Sequence, residues 1–252
     1  MSIVVIGDRA VGKTSMVVSL ADLGTKHVKV VSPDPQSLVA KRFNRAENRV
    51  AGTAQMTSET LLINVDLPRG EREIQVLWVD TPGEAFSNKD WRIKHPSAWQ
   101  DIQQQISESQ GVILLLPPHR DLIQPDRLDP RTESDDLPTS KAWVTKLQTW
   151  LDFFSKNCAN VQHIIICIHR ADVFCDVNYE GKKWRYDHSA NPLWFDYDNH
   201  IRNTYFSLAD QAIREYKSRN YRCEVRFMIT TIDNPNLLEL PWIYLGSYLA
   251  NN

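Results

Sequence analysis

Cysteine is scarce and spread out: the 252-residue chain has four, Cys158, Cys167, Cys175 and Cys223, and none forms a CxxC pair. That excludes a disulfide framework or a thiolate zinc knuckle and points to reduced thiols in a cytoplasmic protein. An excess of charge is also lacking. The formal net charge of -2 gives no electrostatic basis for binding nucleic acid or an anionic membrane surface. No apolar run is long enough to span a bilayer. The first strand-like run begins two residues after the initiator Met, which leaves no room for a signal peptide. Ser2 excludes myristoylation, and the last residues, Leu249, Ala250, Asn251 and Asn252, lack a prenylation cysteine. The expectation is a cytoplasmic chain with no direct membrane anchor, recruited to membranes only through a partner.

What remains is ordinary globular composition, 42% hydrophobic and 24% charged residues, enough for one domain over 1–252 with a full core. Its most informative stretch lies at the start. Residues 3–14 read IVVIGDRAVGKT, a short apolar run, then Gly7, four intervening residues, and Gly12-Lys13-Thr14. This is the spacing of a phosphate-binding P-loop. A buried strand stops sharply and hands over to a helix, and small residues let backbone N–H groups turn inward around a phosphate at the helix N-terminus. Gly7, Asp8, Arg9, Ala10, Val11, Gly12, Lys13, Thr14 and Ser15 are the candidate cradle. Lys13 supplies positive charge for the outer phosphates, and the Thr14 hydroxyl is a ligand for the accompanying Mg2+.

Downstream, residues 15–23 read as a helix ending at Gly24, 27–31 as a short extra strand, and 36–49 as a helix. A hairpin follows: residues 60–67 alternate (Leu61, Ile63, Val65, Leu67), residues 68–71 turn, and 74–79 are almost continuously apolar. The alternating member suits an edge strand and the continuous one a strand covered on both faces. A helix over 97–108 precedes a buried strand over 112–116. Trp143, Leu147, Trp150, Leu151 and Phe154 mark an amphipathic helix before a strand over 164–168. Ile201, Tyr205, Leu208, Ala212, Ile213 and Tyr216 mark a second long helix before a strand over 225–229, and a helix over 237–249 caps the chain. Alternating strands and helices imply an α/β domain with a mostly parallel sheet covered on both faces. Ligands of such sheets sit at the C-terminal ends of the strands.

Two motifs fall at those ends. Asp80-Thr81-Pro82-Gly83-Glu84 closes the second hairpin strand, where an aspartate can hold Mg2+ through water and Gly83 lets a backbone N–H approach a γ-phosphate. His169-Arg170-Ala171-Asp172 closes the strand over 164–168. A rigid Asp172 carboxylate can accept two hydrogen bonds from the N1 and N2 edge of guanine, which adenine cannot offer, and Arg170 can lie over the base plane.

Together these residues resemble the small Ras-like GTPases. GDRAVGKT is similar to P-loops of the Rho and Rab branches, DTPGE to the family's DxxG motif, and HRAD to its NKxD motif in the histidine form of the Rag GTPases. The resemblance covers residues 1 to about 235 and implies a three-layer P-loop NTPase fold. Its sheet would be mostly parallel, with six strands and one antiparallel edge strand. It also implies GTP/GDP and Mg2+ as ligands, a conformational switch, slow GTP hydrolysis, and effector or regulatory proteins as partners. The switch I threonine of the family falls on Thr53 or Thr57: spacing back from Asp80 favours Thr57, and the Gly52-Thr53 pair fits a moving loop. The Mg2+ ligands would be Thr14, Asp80 and Thr57. The motif that contacts guanine O6 through backbone N–H groups falls by position on Thr230, Thr231 and Ile232.

Departures from the family concern hydrolysis. Glu84 stands where a glutamine orients the attacking water; a carboxylate accepts from water but adds repulsion near the γ-phosphate. Arg9 occupies a position usually held by a small residue. There it either hinders hydrolysis, the reading preferred here, or curls back as an arginine finger in cis. A module that holds nucleotide without turnover and a P-loop ATPase or small-molecule kinase are the alternatives. Two segments have no counterpart in a minimal member: 118–138, acidic and proline-rich, reads as a solvated loop, and 173–198, rich in aromatics without helical or strand period, as packing over a sheet edge or the nucleotide-side loops. The seven histidines are scattered without ligand spacing, which speaks against a metal site beyond Mg2+.

Overall fold

The computed structural model describes residues 2–7, 11–22, 24–44, 49–50, 57–80, 89–127, 137–158, 160–190, 193–220 and 222–249; at 22, 41–44, 49–50, 57–59, 78–80, 89 and 125 only the backbone is described. Strands β1 (Ser2–Gly7), β2 (Val28–Ser32), β5 (Thr57–Leu67), β6 (Gly70–Asp80), β7 (Gly111–Leu116), β8 (His163–His169) and β9 (Glu224–Thr230) form one sheet in the order β2-β5-β6-β1-β7-β8-β9. A separate two-stranded ladder pairs β3 (Phe43–Asn44) with β4 (Arg49–Val50). The helices are α1 (Lys13–Asp22), α2 (Pro35–Arg42), α3 (Lys89–Lys94), α4 (Pro96–Glu108), α5 (Ser140–Asn157), α6 (Val177–Lys183), α7 (Trp194–Tyr205), α8 (Asp210–Arg219) and α9 (Pro235–Leu249).

The α/β architecture with a mostly parallel sheet is as expected, with seven strands among the described residues rather than six. The extra one is β2, which pairs antiparallel with β5 and takes the outermost place, so that β5, the strand running against its neighbours, stands one in from the edge. Its alternation survives: Leu61, Ile63 and Val65 are fully buried while Leu62, Asn64 and Asp66 are half-buried. One-sided burial therefore reflects what covers the face, not a place at the rim.

β1 and β7 to β9 are apolar along nearly their whole length because helices cover both faces. On one side α9 lies across the sheet, packing on β2, β5, β6, β7 and β9. Contact is close enough that a Cβ on Gly111 would stand 2.9 Å from Leu249 Cδ1, and one on Gly246 would stand 3.2 Å from Val65 Cβ. Far from being a surface cap, α9 is buried from Leu237 to Gly246 and again at Leu249. α5 presents Trp143, Leu147, Trp150, Leu151 and Phe154 to the core, as its period requires.

Three local expectations fail for physical reasons. The helix over 36–49 stops at Arg42, and Phe43–Asn44 turns back onto Arg49–Val50; an aromatic followed by Asn favours leaving the helix. The long helix through 201–216 is broken by a 3-10 turn at Ser207–Ala209, which leaves Leu208 exposed. Phe206 drops out of the helix there and wedges between Trp143 and Phe227, with ring centroids 5.6 and 4.7 Å away. The 173–198 segment, expected to lack regular structure, holds α6, whose N-cap Asp176 accepts from the backbone N of Asn178 and Tyr179 at 3.0 Å each.

The same segment leads into α7, which seals the open edge of β9. Phe227 N donates to Asp198 Oδ1 at 2.7 Å and Ile229 N to Tyr197 Oη at 3.2 Å, so alternate outward amides of the last strand are satisfied by side chains. This fits the expectation that the aromatic segment packs over a sheet edge. Within 118–138, the described part is irregular apart from 3-10 turns at Arg120–Leu122 and Pro125–Arg127.

Candidate functional site

β1 is the strand at which the sheet's order reverses: the chain leaves it toward β2 and β5, returns through β6, and crosses to β7 on its other side. A crevice at the C-terminal end of such a strand is where open α/β sheets bind ligands. Gly7 ends β1 there, and α1 starts at Lys13. Gly12 carbonyl accepts from Met16 N at 2.8 Å, the first hydrogen bond of the helix, so the first-turn amides point back along the axis toward the strand end. Lys13 is 5% exposed, and its ammonium donates to Gly7 carbonyl at 2.9 Å, closing the turn on itself. Neither glycine admits a side chain. A Cβ on Gly7 would stand 2.5 Å from Leu115 carbonyl oxygen, and Gly12 has φ +95.

The next layer comes from β8. A Cβ on Gly12 would stand 2.5 Å from His169 Cδ2 and 2.7 Å from Nε2, so the imidazole is the floor against which the loop rests. His169 is 2% exposed, and burial pushes its pKa down to about 4, which keeps the ring neutral at pH 7. Its Nδ1 shares a hydrogen bond of 3.0 Å with Thr230 Oγ1 on β9. Arg170 follows in the left-handed region at φ 64, turning the chain into the 3-10 turn that carries Asp172. Thr231 is fully buried and donates to Asp172 Oδ1 at 2.6 Å, while Asp233 N donates to Thr231 Oγ1 at 3.2 Å. Burial, and then the Asp172 charge, raise the pKa of Asp233. Ile232 is 38% exposed at the rim.

Thus Gly7, Gly12, Lys13, His169, Asp172, Thr230 and Thr231, read from three distant parts of the sequence, form one connected group, with Val11 buried and Thr14 and Ser15 half-buried beside it. Thr57 and Asp80 are direct Cα partners across the antiparallel β5–β6 ladder. The β1–β6 register pairs Val5 with Trp78; carried on two residues, it brings Asp80 level with Gly7. Asp8, Arg9, Ala10, Thr53, Gly83 and Glu84 lie outside the described residues. Sequence reasoning missed two roles: His169 as the support of Gly12, and the Thr231 hydroxyl as the group that orients Asp172. The hydroxyls of the 230–231 pair were the available signal for the second.

The strand order and the glycine-flanked entry into α1 define an α/β domain with a mostly parallel sheet, an architecture consistent with a P-loop NTPase-like domain. No known family's signature matches the chain, and no curated protein matches it. Among solved structures it is similar to a bacterial selenocysteine-specific elongation factor, EF-Sec, with 11% identity and a TM-score of 0.44 over 100% of this chain and 29% of that one. The chain therefore spans less than a third of that factor's length, and a likeness of this size says nothing of what the chain binds. Among the described residues, no helix is long and apolar enough to cross a membrane.

Proposed function

We propose that the chain binds a guanine nucleotide at the C-terminal end of β1 and works as a GTP/GDP switch that hydrolyses GTP slowly. The observation that carries this is the junction at His169. One imidazole supports Gly12 of the phosphate loop and bonds to Thr230, next to the Thr231 that holds Asp172. A phosphate site and a base site would then share one rigid support.

In this reading the amides at the start of α1 and the Lys13 ammonium take the phosphates, and the Asp172 carboxylate takes the N1 and N2 edge of guanine. Thr14, Asp80 and Thr57 would hold Mg2+, and their hydroxyl and carboxylate oxygens suit a hard divalent cation that screens phosphate charge when bound. The cross-strand pairing of Thr57 with Asp80 is what favours Thr57 over Thr53 as a ligand. Gly83 would hold a switch loop to the γ-phosphate, Ile232 and its neighbours would border the base, and effector or regulatory proteins would read the two states. Glu84 and Arg9 would set the rate. A nucleotide-holding module without turnover is the second reading, and the presence of those two residues in place of a glutamine and a small residue favours it.

Competition of GTP against ATP for the purified chain tests the base assignment. GTP should bind at least about a hundredfold more tightly, since adenine offers the half-buried Asp172 carboxylate no donors in place of the N1 and N2 edge of guanine. Equal competition by ATP sinks the guanine reading. Asp172→Asn should lose GTP and gain xanthine nucleotide. Phosphate release followed over hours separates the switch from the holding module.

A further inference from the structure

At the opposite end of the sheet from the phosphate loop, three side chains from separate segments converge. His27 precedes β2, Asp66 lies near the end of β5, and His188 lies in the segment between α6 and α7. One ligand atom from each lies within 4.8 Å of the other two. We propose that His27, Asp66 and His188 form a Zn2+ site.

His27 is the strongest reason. It is 5% exposed, yet among the described residues neither ring nitrogen has a hydrogen-bond partner, which leaves two buried polar atoms unsatisfied. Its Nδ1 faces Asp66 Oδ2 at 3.7 Å, and His188 Nε2 faces the same oxygen at 3.4 Å. Ligands about 2.0–2.1 Å from a tetrahedral Zn2+ stand about 3.4 Å from one another, so the donors are already close to the spacing the ion requires. Two imidazoles and one carboxylate are a borderline donor set that selects zinc over magnesium or calcium.

The surroundings hold the donors in place. His27 is fixed through its backbone: its N donates to Glu239 Oε1 at 2.8 Å, and its carbonyl accepts from Asp66 N at 2.7 Å. Tyr186 stands edge-on to His27, with centroids 5.0 Å apart, and to His188 at 5.4 Å, closing the cluster with an aromatic wall. His188 Nε2 lies 2.9 Å from Asp66 carbonyl oxygen. Metal binding replaces that contact by selecting the tautomer of His188 with its proton on Nδ1, leaving Nε2 as the ligand. The two histidines are 161 positions apart in the sequence, which is why their spacing gave no sign of a site. Bound zinc would pin the 184–190 segment to the β2–β5 corner.

The test uses the full chain stripped with EDTA, dialysed against Zn2+ alone without nucleotide, with bound metal measured by mass spectrometry. One zinc per chain is expected, with a rise in Tm on zinc addition and visible absorption typical of a tetrahedral site when Co2+ replaces it. His188→Ala and Asp66→Asn, both at half-exposed positions, should each weaken zinc binding at least about tenfold while unfolding in EDTA like the parent. His188→Gln, which keeps a polar side chain, serves if the alanine variant does not fold. No stoichiometric zinc in the parent overturns the proposal, as does zinc retained in full by the variants, which would place it elsewhere. Because the site is remote from the phosphate loop, GTP binding by the zinc-free chain leaves this result independent of the nucleotide reading.

Discussion

Gly12 and His169 are so close that no side chain fits between them: a Cβ on Gly12 would stand 2.5 Å from Cδ2 of a fully packed imidazole. The turn into α1 and the segments that carry Asp172 and Thr231 are thereby held to one support.

Gly12→Ala should be costly on two counts, the positive φ of +95 and the collision with a ring that cannot swing away. A loss of about 2–4 kcal/mol in urea unfolding is expected. Gly24→Ala, where nothing lies within 4 Å of the added carbon, should change stability by less than about 0.5 kcal/mol. Equal effects at the two positions would refute the close contact.

His169 sets an acid limit. Its pKa falls from 6.5 when unfolded to about 4 when folded, so between those values the unfolded chain binds more protons. The stability it contributes is complete above pH 6.5 and is lost as pH falls through 4, about 3 kcal/mol in all. Burial shifts His27, His119 and His163 in the same direction. In His169→Asn, the difference in unfolding free energy between pH 7 and pH 4.5 should shrink by about 2 kcal/mol, whatever the variant's absolute stability.

The β9 edge predicts a graded series. Asp198→Ala leaves Phe227 N without its acceptor and removes the carboxylate that lies 3.5 Å from Arg226, which should cost about 2–3 kcal/mol. Asp198→Asn keeps an accepting oxygen and should cost less, and Tyr197→Phe, which strips the acceptor from Ile229 N, about 1 kcal/mol. Chemical denaturation of the three variants reads this order directly.

Lys13→Ala separates folding from binding. The ammonium's bond to Gly7 carbonyl is a charge-assisted hydrogen bond, so stability should fall by about 1.5–3 kcal/mol. Nucleotide affinity should fall at least about a hundredfold if the ammonium serves the phosphates, as read by fluorescent-nucleotide titration. A variant that binds GTP like the parent would remove Lys13 from the phosphate site.

Much of this was legible in the residues, and the failures have causes. Strands β1, β7 and β8 are nearly continuous apolar runs, which double-sided burial explains, and they lie where expected, as does β9 despite Arg226 in its middle. The Gly12-Lys13 turn entering α1 was also readable, because a backbone requirement for glycine is local. What pairs over distance was not. The alternation of β5 showed one buried face but could not show that β2 lies outside it. Nor could the sequence show that His169 would rest on Gly12, since that depends on the β1-β7-β8 order bringing two strand ends together. The break at Phe206 eluded periodicity because the ring's best partners, Trp143 and Phe227, lie on other elements.

The position of α9 has a consequence for how the chain is made. Five strands of the sheet lean on a helix spanning Pro235–Leu249, so during synthesis one apolar face stays uncovered until that helix has left the ribosome. Contacts between residues as distant as Val28 and Glu239, 3.3 Å from backbone N to carboxylate, close last and at high loop-closure cost. Closure of that face therefore waits until residues 235–249 have been made, and until then the nascent chain exposes apolar sheet.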